Sequence, residues 1–332
     1  MSKNLRAGLV GLGVMGRHHA RVLGSLEGVD LVAVSDPMGD TYGAVAGWDV
    51  LKSIDDLIKI GIDYAMVAAP TEYHEELASK LAGAGIHALI EKPLAIDTQA
   101  AERIATTFKA KGLVGAVGHI ERYNPALQQL RTRLDAGELG EVYQISTKRQ
   151  GPFPARITDV GVIKDLATHD IDSTAWVVRS KYKSVSARIA HKSGRLHEDM
   201  VAAVCDLENG LITNHLVNWL SPFKERLTIV TGERGAFVAN TLTSDLTFYA
   251  NASIEIEWDS FTAFRGVSEG DVIQYAFPKP EPLKVEHESF RDAVLGLPGA
   301  TERIVTMEQG LATVAVAGAM LESAKRNETI KL

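Results

Sequence analysis

Two places in this sequence carry side chains able to move a proton: a lysine directly before a proline, and an aspartate four residues ahead of a histidine. Lys92 stands in Glu91-Lys92-Pro93, after the apolar run His87-Ala88-Leu89-Ile90. An ammonium at a strand end can donate to a substrate oxygen and favour its alkoxide-like form. A lysine snorkelling to solvent from the same place is the plain alternative. Asp165 and His169 lie in Val160-Gly161-Val162-Ile163-Lys164-Asp165-Leu166-Ala167-Thr168-His169-Asp170-Ile171-Asp172. At about 3.6 residues per turn, Asp165, His169 and Asp172 share one stripe of a helix. A carboxylate four residues before an imidazole can hold the ring in one tautomer, as a general base requires. The alternatives are a helix N-terminal aspartate beside a satisfied histidine, or oxygen and nitrogen metal ligands on one face. No second ligand cluster accompanies these residues, and no metal is assigned.

A third feature gives these two a context. The short strand Ala7-Gly8-Leu9-Val10 runs into Gly11-Leu12-Gly13-Val14-Met15-Gly16 and then a helix reaching about Leu23. Glycines so spaced make a tight turn, admit a pyrophosphate to the backbone and let the helix sit close to the strand. The diphosphate then faces the free N–H groups and positive end of that helix. A second strand, Leu31-Val32-Ala33-Val34, ends at Asp36, twenty residues after Gly16. A carboxylate there accepts from both ribose hydroxyls and repels a 2′-phosphate, which favours NAD over NADP. A solvated turn before Pro37 is the other reading of Asp36.

The elements that must position these groups alternate. Helices are expected over Ile54–Ile60, His74–Ala84 and Asp97–Lys111, with strands at Tyr64–Ala69, His87–Ile90 and Leu113–Val117. That rhythm means a doubly wound parallel sheet, the Rossmann arrangement. Gly11, Asp36, Pro70, Thr71, Glu91 and Lys92 all fall at the carboxyl ends of its strands, where such sheets bind ligands. The composition changes after Ile120. Asn124 followed by Pro125 starts a helix that Gly137 stops. Strand-like runs follow at 141–149, 183–190, 200–207, 211–218, 226–231, 235–240 and 246–249, joined by short turns such as Glu208-Asn209-Gly210. The fold class is therefore α/β: a Rossmann sheet over 1–121, then an α+β domain over 122–332 with a large, mostly antiparallel, open sheet.

The chain has 332 residues, enough for two domains, with 45% hydrophobic and 23% charged residues. Its net charge of −7 argues against nucleic-acid or membrane-surface partners. Cys205 is the single cysteine, which excludes an intramolecular disulfide and suits the reducing cytoplasm. Neither a signal-peptide core nor a membrane span is recognisable. Arg122, Arg149 and Arg156 could grip a substrate diphosphate, or form ordinary salt bridges. His18 and His19 are given surface or packing roles, and Trp176 and Trp219 core roles.

The loop Gly11–Gly16, Ala69-Pro70-Thr71-Glu72-Tyr73-His74, Glu91-Lys92-Pro93 and Asp165–Asp172, in this order, resemble the Gfo/Idh/MocA oxidoreductases along essentially the whole chain. Glu72 stands where that family usually has Asn, and Val160-Gly161-Val162 where it often has Gly-Gly. The segments from Gly118 to Pro125 and Gly151 to Val162 look like a subgroup related to UDP-N-acetylglucosamine 3-dehydrogenases. The resemblance implies Lys92, Asp165 and His169 as catalytic residues. It implies Gly11, Gly13, Val14, Met15, Gly16, Asp36, Pro70, Thr71, His74, Glu91 and Lys92 around an NAD cofactor. Arg122, Tyr123, Asn124, Arg149 and Arg156 are expected near substrate. Hydride would pass between the nicotinamide and a sugar carbon, with either Lys92 or His169 taking the hydroxyl proton. A nucleotide sugar is the leading substrate and inositol or another free cyclic polyol the alternative. A non-catalytic sugar- or dinucleotide-sensing protein, or a glycosidase using bound NAD, are the other possibilities. The resemblance also implies a homodimer or homotetramer through the second sheet, a C-terminal helix packed back on the first domain, and a cis bond before Pro93.

Overall fold

The computed structural model describes residues 4–46, 48–154, 160–251 and 269–332. It divides into two compact units, one of residues 1–120 and 280–318, the other of residues 121–279 and 319–332. A division made along the sequence, at 121/122, has no way to return 280–318 to the first unit.

The first unit is built on six strands: β1 (Leu5–Val10), β2 (Val29–Ser35), β3 (Val50–Leu51), β4 (Tyr64–Val67), β5 (His87–Glu91) and β6 (Gly115–Gly118). Their order is β3-β2-β1-β4-β5-β6, with every neighbouring pair parallel. Alternate side chains enter two cores. Tyr64 and Met66 join Leu9, Leu23 and Phe290 on one face, while Ala65 and Val67 join Leu57, Leu81 and Ile104 on the other. Burial on both faces is why these strands read as unbroken apolar runs rather than alternating ones. The covering helices are α1 (Gly16–Leu23), α2 (Ile54–Lys59), α3 (His74–Gly83) and α4 (Thr98–Ala110). Ser53 and Asp97 cap α2 and α4 by accepting the Asp56 and Ala100 N–H groups, at 3.2 and 2.8 Å.

From the sequence, no element is expected between the strand ending at Tyr249 and a C-terminal helix over Glu308–Lys325. The structure has a strand there, described below, and a helix α7 (Pro282–Val294). Phe290 and Ala293 of α7, with Ala300 and Ile304 beyond it, complete the core around Leu9 and Tyr64.

The second unit is a nine-stranded sheet of β7 (Val142–Pro152), β8 (Tyr182–Ala190), β9 (Met200–Leu207), β10 (Ile212–Asn218), β11 (Leu220–Gly232), β12 (Gly235–Asn240), β13 (Asp245–Asn251), β14 (Glu269–Gln274) and β15 (Ile330–Lys331). The order is β14-β13-β12-β11-β7-β10-β9-β8-β15. β7 and β10 pair in parallel, and the other neighbours are antiparallel. α5 (Pro125–Asp135) and α6 (Thr168–Val177) lie on one face. There Leu127, Leu130 and Val177 meet Ile145, Val230 and Phe237 in one core. The strand register places Val204, Ile212, Leu227, Ile229, Val238 and Tyr249 together on the opposite face. Val204 is 53% and Tyr249 47% exposed there. The last helix, α8 (Met307–Arg326), contributes Met307 and Val314 to the first unit's core. Among the described residues no helix is long and apolar enough to cross a membrane.

Candidate active site

The loop after β1 shows what each glycine does. Gly11 has φ +94°, and a Cβ on it would stand 2.6 Å from the Ala68 carbonyl oxygen. A Cβ on Gly16 would stand 2.0 Å from the Gly11 carbonyl oxygen. These two positions therefore close the turn and seat α1 against it. A Cβ on Gly13 would meet nothing within 4 Å. The open side of the loop thus lies at the one glycine not needed for packing, which fits a diphosphate approaching the backbone. Val14 and Met15 flank it, half-buried. Asp36 follows β2. Its carboxylate accepts the Leu12 N–H at 2.7 Å and the Met38 N–H at 2.8 Å. The residue expected to read the ribose is thereby fixed to the loop expected to hold the diphosphate. Each oxygen keeps a further lone pair for a hydroxyl.

Pro70 and Thr71 end the next strand region, Thr71 opening a short turn through Tyr73. His74 is corrected. One ring nitrogen lies 2.9 Å from the Ala69 carbonyl and the other 3.1 Å from that of Pro93. Burial lowers its pKa, outweighing those carbonyls and the Glu91 charge, so the ring is neutral. The neutral ring donates to one of these carbonyls only, and at 1% exposure His74 braces the segment after Lys92 rather than reaching a cofactor. The Lys92–Pro93 bond is cis. Glu91 accepts the Lys92 N–H at 3.0 Å and stands 2.9 Å from His19. His19, given only a surface or packing role by the sequence, is thus part of the site's support.

In the second unit, Ile163–Ala167 form a π turn that runs into α6. This corrects the regular stripe: the spacing of an α-helix does not hold across such a turn, which is frequent at functional sites. Asp165 lies buried within it and His169, half-buried, opens α6. Asp172 is bound by Arg122, whose Nε and Nη2 each donate at 2.7 Å. Asp170 accepts from Arg149 at 2.9 Å, and Glu121 accepts from the same guanidinium at 2.8 Å. Burial works against the charge on Arg149, but the two carboxylates outweigh it and raise its pKa. The guanidiniums of Arg122 and Arg149 are therefore committed to carboxylates, which leaves their expected grip on a substrate diphosphate without geometric support. Asn124 caps α5, accepting the Ala126 N–H at 3.0 Å and donating to the Thr241 carbonyl at 3.0 Å. Tyr123 is buried beside it. Arg156 lies outside the described residues.

One anchor of this helix has no sequence signal of its own. Buried Glu198 accepts the Ile163 N–H at 3.0 Å, and its carbonyl accepts the Val162 N–H at 3.0 Å. A Cβ on Gly161 would stand 2.0 Å from the Glu198 carboxyl group. Only glycine leaves room for the carboxylate that satisfies the start of the Asp165 turn. His169 thus precedes Asp170 and Asp172, each tied to an arginine, on a helix held at its start by Glu198. Among the described residues no group of three His, Cys, Asp or Glu could hold a metal.

A doubly wound sheet with an open glycine loop, the Asp36 carboxylate and Lys92 on one edge is the frame of a dinucleotide-dependent oxidoreductase. Residues 5–119 match the model of an oxidoreductase family with an NAD-binding Rossmann fold, and residues 127–238 match the GFO/IDH/MocA C-terminal domain. The chain belongs to the Gfo/Idh/MocA oxidoreductase family, and its first unit is that family's NAD-binding domain. It is 32% identical to UDP-N-acetylglucosamine 3-dehydrogenase of Acidithiobacillus ferrooxidans over 64% of this chain and 66% of that protein. It is 34% identical to inositol 2-dehydrogenase 1 of Saccharopolyspora erythraea over 58% of this chain and 59% of that one. The chain therefore spans about two thirds or less of these relatives' length in sequence. A solved structure of the Acidithiobacillus enzyme, GnnA, superposes with a TM-score of 0.84 at 26% identity, covering 97% of this chain and 98% of the other.

Proposed function

We propose that this protein is an NAD-dependent oxidoreductase acting on a hydroxyl or ketone carbon of a nucleotide sugar. The observation carrying this reading is the Lys92 strand end, held by Glu91 on the same sheet edge as Gly13 and Asp36. The likeness to GnnA over nearly the whole chain supports the nucleotide-sugar class. NAD supplies the hydride acceptor when bound. The residues do the rest. His169 takes the proton from the reacting hydroxyl. Lys92 donates to the same oxygen and stabilises its developing charge. Asp165 holds an adjacent group. Asp36 selects NAD over NADP. Incubation with NAD and UDP-N-acetylglucosamine, followed at the reduced-nicotinamide absorbance, is the test. Reduction only with free inositols would move the substrate to the cyclic polyols, which the inositol dehydrogenase likeness supports as the second reading. Cofactor binding without reduction by any sugar would favour a sensing protein.

Replacing Asp36 by alanine should weaken NAD binding about 10- to 100-fold, the range of a lost charged hydrogen bond, and narrow the preference over NADP. Fluorescence titration with both dinucleotides measures this, and an unchanged preference would take Asp36 out of the ribose site.

The open face of the second sheet, where Val204, Ile212 and Tyr249 are exposed among polar neighbours such as Gln144 and Asn214, is proposed to pair with another copy of this chain, as a homodimer or homotetramer. Sedimentation as a monomer at micromolar concentration would argue against it. The cytoplasm is the proposed location. Burial first, and then Asp206, push the Cys205 thiol up to about 12, so it stays a thiol there.

A further inference from the structure

The helix that carries the glycine loop reaches the Lys92 strand end through one side chain. His19, on α1, is 0% exposed. Its Nε2 lies 2.9 Å from Glu91 Oε1, and its Nδ1 lies 2.8 Å from Nε2 of His287, on α7 and also 0% exposed. The two rings meet edge to face at 74°. The other Glu91 oxygen takes the Lys92 N–H. A continuous chain of hydrogen bonds thus runs from α7 through α1 to the main chain of Lys92.

The proton inventory gives this chain a fixed direction. Burial pushes the Glu91 carboxyl up, but the His19 hydrogen bond and charge, with Lys92, outweigh it, so Glu91 is a carboxylate. It can only accept, and His19 must donate from Nε2. Burial, then His19, keep His287 far below the usual histidine range and neutral. If His19 is neutral, His287 donates to its Nδ1. If His19 is charged, it donates to His287. In both states the Nε2–H stays on Glu91. Neighbouring Glu286 is buried too, and burial with the Glu91 charge raises its pKa well above the usual range, so it adds no second negative charge. His287 Nδ1 has no partner among the described residues, so the chain ends in the interior. That ending suits an anchor rather than a proton conduit to solvent.

We propose that His19 is a positioning residue for Lys92, acting through Glu91 and supported by His287. It ties the helix of the dinucleotide loop to the lysine that meets the substrate oxygen. This rests on the reading of Lys92 given above.

Glutamine at position 19 puts an amide N–H about where Nε2 stands, and asparagine stops short of Glu91. In full-length protein without ligand, H19N should speed hydrogen exchange of the Lys92 amide about 10- to 100-fold, the effect of losing a charged hydrogen bond, while H19Q stays near wild type. With NAD and UDP-N-acetylglucosamine, H19N should lower kcat and leave the KM for NAD unchanged, and H19Q should recover kcat. Glu91→Gln should follow H19N in both readouts and serves if H19N does not fold. H19N matching H19Q in exchange and kcat overturns the proposal. Lys92→Ala run alongside separates the failures. If it keeps full turnover, the reading of Lys92 falls and this one with it. If it abolishes turnover while H19N and E91Q change neither readout, only the role of His19 falls.

Discussion

Alanine in place of Lys92 lowers turnover about 10²- to 10⁴-fold, the contribution of one well-placed proton-transferring or charge-stabilising group. NAD affinity is expected to stay near wild type, because the residues proposed to hold the diphosphate and ribose are elsewhere: the turn at Gly11 and Gly16, the open side at Gly13, and Asp36 on the Leu12 amide. Arginine does not rescue the loss, since a broad planar fork cannot take the place of a compact ammonium. Steady-state kinetics beside a dinucleotide titration measure both halves. Wild-type turnover in Lys92→Ala would remove it from the chemistry. A parallel collapse of NAD binding would make it a cofactor-holding residue instead.

The second large effect is on stability. Methionine in place of Arg149 leaves Asp170 and Glu121 without the cation that hydrogen-bonds both, with the charge of Arg226 still acting on them. Arg149 and Asp170 are each only 3% exposed at the side chain. Removing one partner of a buried pair typically costs about 3–5 kcal/mol, because the remaining charge is stranded. Denaturant unfolding followed by Trp176 and Trp219 fluorescence, both in the second unit, reads this loss. A change below about 1 kcal/mol would place the pair in the class of solvated surface bridges. Asp170 is next to His169, so the same variant should also lower turnover in whatever fraction remains folded.

Much of the first unit was legible because its signals are local. Apolar runs of strand length alternate with capped helices, and Gly11, Asp36 and Glu91 fall at strand ends where the parallel topology collects them. The second sheet was legible from period-two alternation: the bounds of β9 and β12 coincide with expectation. What escaped the reading is long-range. His19 gains its role from residues 72 and 268 positions away, Glu91 and His287. Glu198 gains its role from Ile163, 35 positions away, and the only trace of it is that position 161 tolerates no side chain. Arg122 and Arg149 look like anion binders by type. Nothing in their spacing reveals that Asp172 and Asp170, on the proposed catalytic helix, are the anions they bind.

The segment 280–318 has a consequence for biosynthesis. Phe290 and Ile304 line the interior around Leu9 and Tyr64, yet a ribosome makes them only after the entire second sheet up to β14. The nascent dinucleotide-binding half must wait with an open hydrophobic seam while some 160 intervening residues are polymerised (121–279). Its interior is completed, and His287 brought to His19, only when that late stretch has emerged.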